Sequence, residues 1–181
     1  MAKPRDVKIV LGSYDATPHP YHHQYLGDVS EWIISDLNPR VPSIEKIDAR
    51  DIKYKNVSAL YASHILEHIK EDEILSTLTH WRKVLKKGGW VHINVPDITF
   101  GLDMLMELNT GKLPDNPYFN NREKVMQIIN GTMESDFDTH KSWFTKDKLE
   151  DYLQKAGFKN YKVWQEYEAH DMRCILARAE K

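Results

Sequence analysis

Two short apolar runs, residues 57–62 and 91–95, flank a segment in which Ile74, Leu78, Trp81 and Leu85 recur at helical spacing. The pattern predicts a strand, a crossover helix and a second, parallel strand. Glu71, Asp72 and Glu73 fall in the first helical turn, where the helix dipole favours negative charge. Lys83, Lys86 and Lys87 are expected in the last turn, with Gly88 as a left-handed cap. The first run closes in a polar group, Ser63, His64, Glu67 and His68. Open α/β sheets bind ligands outside the carboxyl ends of their strands, so this group marks the candidate site.

Three earlier strands are expected: residues 7–11 ended by Gly12, 32–35 followed by Asp36, and 44–47 followed by Asp48. Laid side by side and parallel, they bring Gly12, Asp36, Asp48 and Ser63 to one rim. Beyond Asp97 the pattern loosens across residues 98–143. Short helices are predicted near Leu102–Leu108 and residues 125–129, the latter stopped by Gly131. An insertion of this length reads as a lid or substrate-binding segment. Thr145 is placed to cap a helix, with Phe144 and Leu149 as its hydrophobic staple and Leu149, Tyr152, Leu153 and Ala156 as its buried face. Residues 158–167 and 172–177 read as antiparallel strands joined near His170 and Asp171. The sum is an α/β, three-layer sandwich of about seven strands, mostly parallel with the last antiparallel, in one domain over residues 1–181.

Composition narrows the function. The 181 residues carry 25 Lys plus Arg against 27 Asp plus Glu, with no basic block, which argues against a sequence-independent grip on nucleic acid. No apolar run approaches the roughly 20 residues a membrane span needs, and residues 1–6 lack a signal-peptide core. Cys174 is the single cysteine, so no internal disulfide forms; a reducing, cytoplasmic compartment fits, and the thiol is expected to act as a small buried hydrophobe.

Four stretches carry a family resemblance: Asp48-Ala-Arg-Asp-Ile-Lys-Tyr54, Tyr61-Ala-Ser-His-Ile-Leu-Glu-His-Ile69, Trp81-Arg-Lys-Val-Leu-Lys-Lys-Gly-Gly-Trp-Val-His-Ile-Asn-Val-Pro-Asp97, and His140-Lys with the helix through Ala156-Gly-Phe158. Together they resemble the class I S-adenosylmethionine-dependent methyltransferases, most closely the small type 11 group. The resemblance implies a Rossmann-like sheet and S-adenosylmethionine as cofactor. It further implies that the Gly12-Ser13 turn approaches the methionine part, because glycine lets backbone come close. Asp36 would hold the ribose hydroxyls, Asp48 and Ala49 the adenine, and Ala62 and Ser63 would pass near the sulfonium. Tyr14 stands where the family has a second glycine, so the glycine-rich motif is degenerate.

Methyl transfer needs donor and acceptor aligned for in-line displacement, and an oxygen acceptor needs a base. His64, His68 and His140 are the candidates, with His140 and His64 ranked above His68. The expected acceptor is a small polar molecule, a sugar or sugar-linked metabolite among the candidates. A non-catalytic module of the same fold is the alternative. A minor one is a zinc hydrolase, because His64-Ile-Leu-Glu-His68 spells the inverted zinc-peptidase motif. No metal is expected in the main reading. His19, His22 and His23 with Tyr21 or Asp15 are read as a solvated loop rather than a metal site, and Asp136 and Asp138 as acids that keep the lid soluble. Tyr118, Phe119 and Trp143 line an acceptor pocket or form the lid's own small core.

Overall fold

The strand that is buried from Val57 through Ala62 forms the middle of the sheet. In a computed structural model, which describes residues 6–13, 23–111, 116–168 and 171–181, β1 (Val7–Leu11), β2 (Ile33–Asp36), β3 (Glu45–Lys46), β4 (Val57–Ser63), β5 (Leu85–Pro96), β6 (Asn160–Tyr167) and β7 (Arg173–Glu180) make one sheet in the order β3-β2-β1-β4-β5-β7-β6. The first five strands pair in parallel, and β7 runs antiparallel to both β5 and β6. Val57 through Ala62 are all buried, because a central parallel strand is covered on both faces. The edge strand β6 instead alternates, with Val163 buried between wetter neighbours.

One face is covered by α2 (Glu71–Val84) and α5 (Lys146–Lys155), whose Ile74, Leu78, Trp81, Leu149 and Leu153 pack on Ile9, Leu60 and Ile93. The other face has the four-residue α1 (His23–Leu26) and an aromatic layer in which Trp32 meets Trp90 and His92 stacks on Tyr61. Helices α3 (Ile98–Asn109) and α4 (Arg122–Asn130) pack on each other over Met104, Phe119, Val125 and Ile128. Phe119 therefore belongs to the small core of the 98–143 segment, while Tyr118 and Trp143 are exposed.

Several expected boundaries move for identifiable reasons. Helix α2 stops at Val84, and Lys86 and Lys87 are already in β5. Leu85 pairs with Val57, and the chain turns onto β4 at once through Gly88 (φ +71°) and Gly89, where a side chain would lie 2.8 Å from the Val57 carbonyl. Only Glu45 and Lys46 of the third run make ladder bonds; the apolar flanks Ile44 and Ile47 are buried beside them. Helix α3 is longer than the sequence pattern suggests because Asp97 caps it, accepting from the Thr99 N–H at 3.0 Å. Thr145 caps α5 as expected, through Lys148 N–H at 3.2 Å, with Phe144 and Leu149 both buried. No helix among the described residues is long and apolar enough to cross a membrane.

Candidate functional site

The carboxyl ends of β1, β2 and β4 and the turn after β3 open on a cavity of about 430 Å³. Gly12, Asp36, Asp48, Ala49, Ser63 and His64 line it, as expected from the sequence. Gly12 has φ +72°, and a Cβ there would sit 1.7 Å from Ile65 Cδ1, so its lack of a side chain lets Ile65 lie across the turn. Asp36 accepts the Asn38 N–H at 2.7 Å. Asp48 accepts from Arg50 Nε at 3.0 Å, Nη2 at 2.8 Å and the Arg50 backbone N–H at 2.9 Å. The Arg50 hydrogen bond holds the Asp48 carboxyl below its ordinary range against the opposing effect of burial. The Ala49 carbonyl accepts the Trp81 indole N–H at 2.7 Å, so α2 fixes the turn after β3.

Two predicted residues do not reach the cavity wall. Ser13 is buried, with its N–H on the Ser35 carbonyl at 2.9 Å, and Ala62 is buried within β4. Conversely, Arg40, Arg50, Phe137 and Lys141 line the cavity without having been expected to. Asp136 and Asp138 also line it, and Lys141 pairs with Asp136 at 3.0 Å. Tyr14 and the histidine loop at His19 and His22, with Asp15 and Tyr21, lie outside the described residues; His23 opens α1.

Beside this cavity stands a cluster of histidines and carboxylates. β4 ends at Ser63, His64 adopts φ +54°, and Leu66–His68 form a 3-10 turn. The motif His64-x-x-Glu67-His68 is thus not helical, and the two histidines do not share a helix face as a zinc peptidase requires. His64 sits between two carboxylates, with Nδ1 3.1 Å from Glu67 Oε1 and Nε2 3.0 Å from Glu168 Oε2. Burial pushes its pKa down, but hydrogen bonds to Cys174, Glu168 and Glu67 outweigh that and hold it well above the ordinary histidine value. With both ring nitrogens engaged by carboxylates, His64 is poorly placed to serve as a general base. Asn94 donates to Glu168 and, at 3.3 Å, to Ser63 Oγ. Cys174 is buried as expected, and burial pushes its thiol up to about 11.

His68 and His140 differ from His64. Each places Nδ1 3.2 Å from a backbone carbonyl, that of Thr139 for His68 and that of Ile129 for His140. With Nδ1–H as donor, the neutral ring keeps its lone pair on Nε2. The rings meet edge to face with centroids 5.0 Å apart, and burial lowers the His140 pKa. The Glu67 carbonyl accepts the N–H groups of Lys141 at 2.6 Å and Ser142 at 3.1 Å, and Ser142 Oγ bonds the Leu66 carbonyl at 3.0 Å. These bonds bring His140 to the 3-10 turn. A second cavity, about 280 Å³, is lined by residues that include His64, His68, Gln127, Asp138, His140 and Met172. His64, His68 and Asp138 line both cavities and form the wall between them.

A family model described as a methyltransferase domain matches residues 26–163. Among solved structures, an S-adenosylmethionine-dependent methyltransferase from Archaeoglobus fulgidus is 14% identical, with TM-score 0.58 over 98% of this chain and 87% of that one. The 1,6-didemethyltoxoflavin N1-methyltransferase of Burkholderia thailandensis, solved with 1,6-didemethyltoxoflavin and S-adenosylhomocysteine, is 12% identical, with TM-score 0.59 over 98% and 72%. An S-adenosylmethionine-dependent methyltransferase from Methanosarcina mazei is 12% identical, with TM-score 0.57 over 99% and 94%. No curated protein matches the chain. At these identities the likeness is one of fold.

Proposed function

The chain belongs to the methyltransferase domain family, and from that premise we propose that it transfers a methyl group from S-adenosylmethionine to a hydroxyl of a small polar acceptor, with sugars and sugar-linked metabolites as the favoured class. The observation that carries this reading is the shared wall: one cluster, His64, His68 and Asp138, borders both the 430 Å³ and the 280 Å³ cavities. A donor in the larger and an acceptor in the smaller would meet there.

The larger cavity suits the donor in chemistry as well as in position. It presents carboxylates at Asp36 and Asp48 for hydroxyl and amino donors, and cationic side chains at Arg40, Arg50 and Lys141 for a carboxylate. On this reading Asp36 receives the ribose hydroxyls, and Asp48 with Ala49 receives the adenine. Gly12, with Ser13 buried behind it, faces the methionine part, and Ser63, with Ala62 buried behind it, lies beside the sulfonium. Bound there, S-adenosylmethionine supplies an electrophilic methyl group. The residues then align the acceptor, which supplies much of the rate of such a reaction. His64, set between the two carboxylates, positions Glu67 and Glu168. Activation of the acceptor hydroxyl falls to the pair His68 and His140.

Calorimetric titration with S-adenosylmethionine and S-adenosylhomocysteine tests the reading. One site per chain is expected. Asp36→Ala removes a charge-assisted hydrogen bond of about 1.5–3 kcal/mol and should weaken binding on the order of tenfold to a hundredfold. If neither compound binds at millimolar concentration, the chain is a non-catalytic module of the methyltransferase fold.

A further inference from the structure

One atom in the cluster is left unexplained by acid–base chemistry. Glu67 is 2% exposed, and its Oε1 takes the His64 ring, yet Oε2 is buried with no hydrogen-bond partner. A bare buried carboxylate oxygen is costly, and native proteins seldom leave one without a compensating group. Glu67, His68 and His140 each offer one ligand-capable atom, a carboxylate oxygen and two ring nitrogens, that lie within 4.8 Å of one another. Both histidines turn Nδ1 to a backbone carbonyl, Thr139 and Ile129, at 3.2 Å. That second tie fixes the tautomer and ring direction of metal-ligating histidines in general, leaving Nε2 free to coordinate.

We propose that Glu67, His68 and His140 bind a divalent first-row transition cation through Glu67 Oε2 and the two Nε2 atoms. Two imidazoles and one carboxylate suit such a cation and leave coordination positions open. His64 is excluded from the ligand set because both of its ring nitrogens already face carboxylates; its role is to hold the other oxygen of Glu67. The neighbouring group His64, Glu168 and Cys174 is equally compact but lacks a free imidazole nitrogen for the same reason.

The chemistry rests on the methyl-transfer reading. The single carboxylate leaves a bound dication with net positive charge beside the smaller cavity, which draws in an oxygen ligand. With the cation bound, His68 and His140 activate the acceptor through it rather than as bases: the hydroxyl binds to the cation and loses its proton to water, because the charge stabilises the alkoxide. The alkoxide oxygen then forms the new C–O bond as the C–S bond breaks. The bond's electron pair stays on sulfur, and the sulfonium becomes a neutral thioether. Open positions in the plural favour an acceptor with a second oxygen beside the first, as adjacent sugar hydroxyls provide.

The test uses chelator-treated full-length protein without cofactor, titrated with Co²⁺ and followed by visible absorption. A saturable ligand-field band at one Co²⁺ per chain is expected. His140→Ala and Glu67→Gln should each weaken binding at least tenfold, while His80→Ala should leave it unchanged; His80 lies on α2 with its ring bonded to the Ile52 carbonyl. Circular dichroism verifies folding, and if Glu67→Gln does not fold, His140→Ala decides. Absence of a saturable band, or a midpoint unmoved by His140→Ala, overturns the proposal. A parallel titration with S-adenosylhomocysteine separates the two ideas. Binding of that compound without Co²⁺ binding sinks the cation alone, and Co²⁺ binding without it sinks the methyl-transfer reading alone.

Discussion

Gly12 offers the sharpest quantitative check on how the site is built. The family resemblance assigns this glycine to the cofactor, whereas the structure fills the space of its missing Cβ with Ile65 Cδ1 at 1.7 Å and Cγ1 at 2.5 Å. Replacing it with alanine brings two penalties. The backbone at φ +72° is left-handed, which disfavours an L side chain by about 1–2 kcal/mol. Ile65 must also leave its place against the main core, and such overpacking costs about 1–3 kcal/mol. Gly12→Ala should therefore destabilise by about 2–5 kcal/mol, a drop of roughly 1–2.5 M in urea midpoint at a slope of about 2 kcal/mol/M. Ile65→Ala in the same chain removes the clash but not the backbone strain, so a double-mutant cycle should give a coupling of about 1–3 kcal/mol. Tryptophan fluorescence in urea measures all four corners. A Gly12→Ala loss under about 0.5 kcal/mol, or a coupling that small, refutes the packing account. Affinity for S-adenosylhomocysteine adds a second readout. If the glycine serves Ile65, the double variant recovers binding; if it serves the ligand, it does not.

Two further outcomes follow from buried and semi-buried pairs. Asp97 is fully buried and accepts from Gln165 Nε2 at 2.6 Å, Arg173 Nε at 2.8 Å and the Thr99 N–H at 3.0 Å. Asp97→Ala takes from Arg173 its buried carboxylate, leaving it Thr99 Oγ1 at 2.7 Å and the exposed Asp103 at 3.5 Å, and should cost about 3 kcal/mol, the low end for a broken buried pair because Arg173 is partly exposed and keeps these contacts. A thermal melt should then fall by about 6–12 °C, and a loss below about 1 kcal/mol would contradict the placement. The Asp48 carboxyl has a folded pKa below its ordinary 3.8 because Arg50 bonds it. Its contribution is therefore present above pH 3.8 and is lost as pH falls from there through the lowered value. Arg50→Ala should shift the acid-unfolding midpoint upward, by an amount corresponding to less than about 1 kcal/mol because the pair is a third exposed. An unmoved acid limb in a circular-dichroism titration would rule this out.

What could be read from the chain follows how local each feature is. Strands β1 and β4 are legible because their residues 9–11 and 59–62 are buried apolar runs, interrupted near the start only by Lys8 and Ser58. The acids Asp36 and Asp48 are legible because each closes a short strand candidate, residues 32–35 and 44–47. Strand β3 is barely legible, because its two ladder residues are exposed and only the flanking isoleucines carry signal. The end of α2 is misread because Lys86 and Lys87 fit a helix C-terminus as well as they fit a strand. The pairing of Leu85 with Val57 decides the matter, and that contact is non-local. Glu168 is invisible from sequence for a stronger reason: it reaches His64 across 104 residues, at the end of a strand whose position depends on the whole sheet.

The same distinction explains why the histidines could be found but not sorted. Spacing places His64 and His68 at the end of β4, and any reading of that stretch makes them candidates. Their chemistry is set by three groups supplied from elsewhere. Glu168 clamps His64 from β6's far end, the Thr139 carbonyl orients His68, and the backbone of Lys141 and Ser142 pulls His140 onto the Glu67 turn. The 98–143 segment thus does more than cover a cavity, because its closing limb supplies both a histidine and the bonds that orient another. A donor and an acceptor must come within about 3–3.5 Å to react. On the methyl-transfer reading that meeting falls at the wall both cavities share, His64, His68 and Asp138, and one of its three residues is delivered by a segment whose own sequence is polar and irregular.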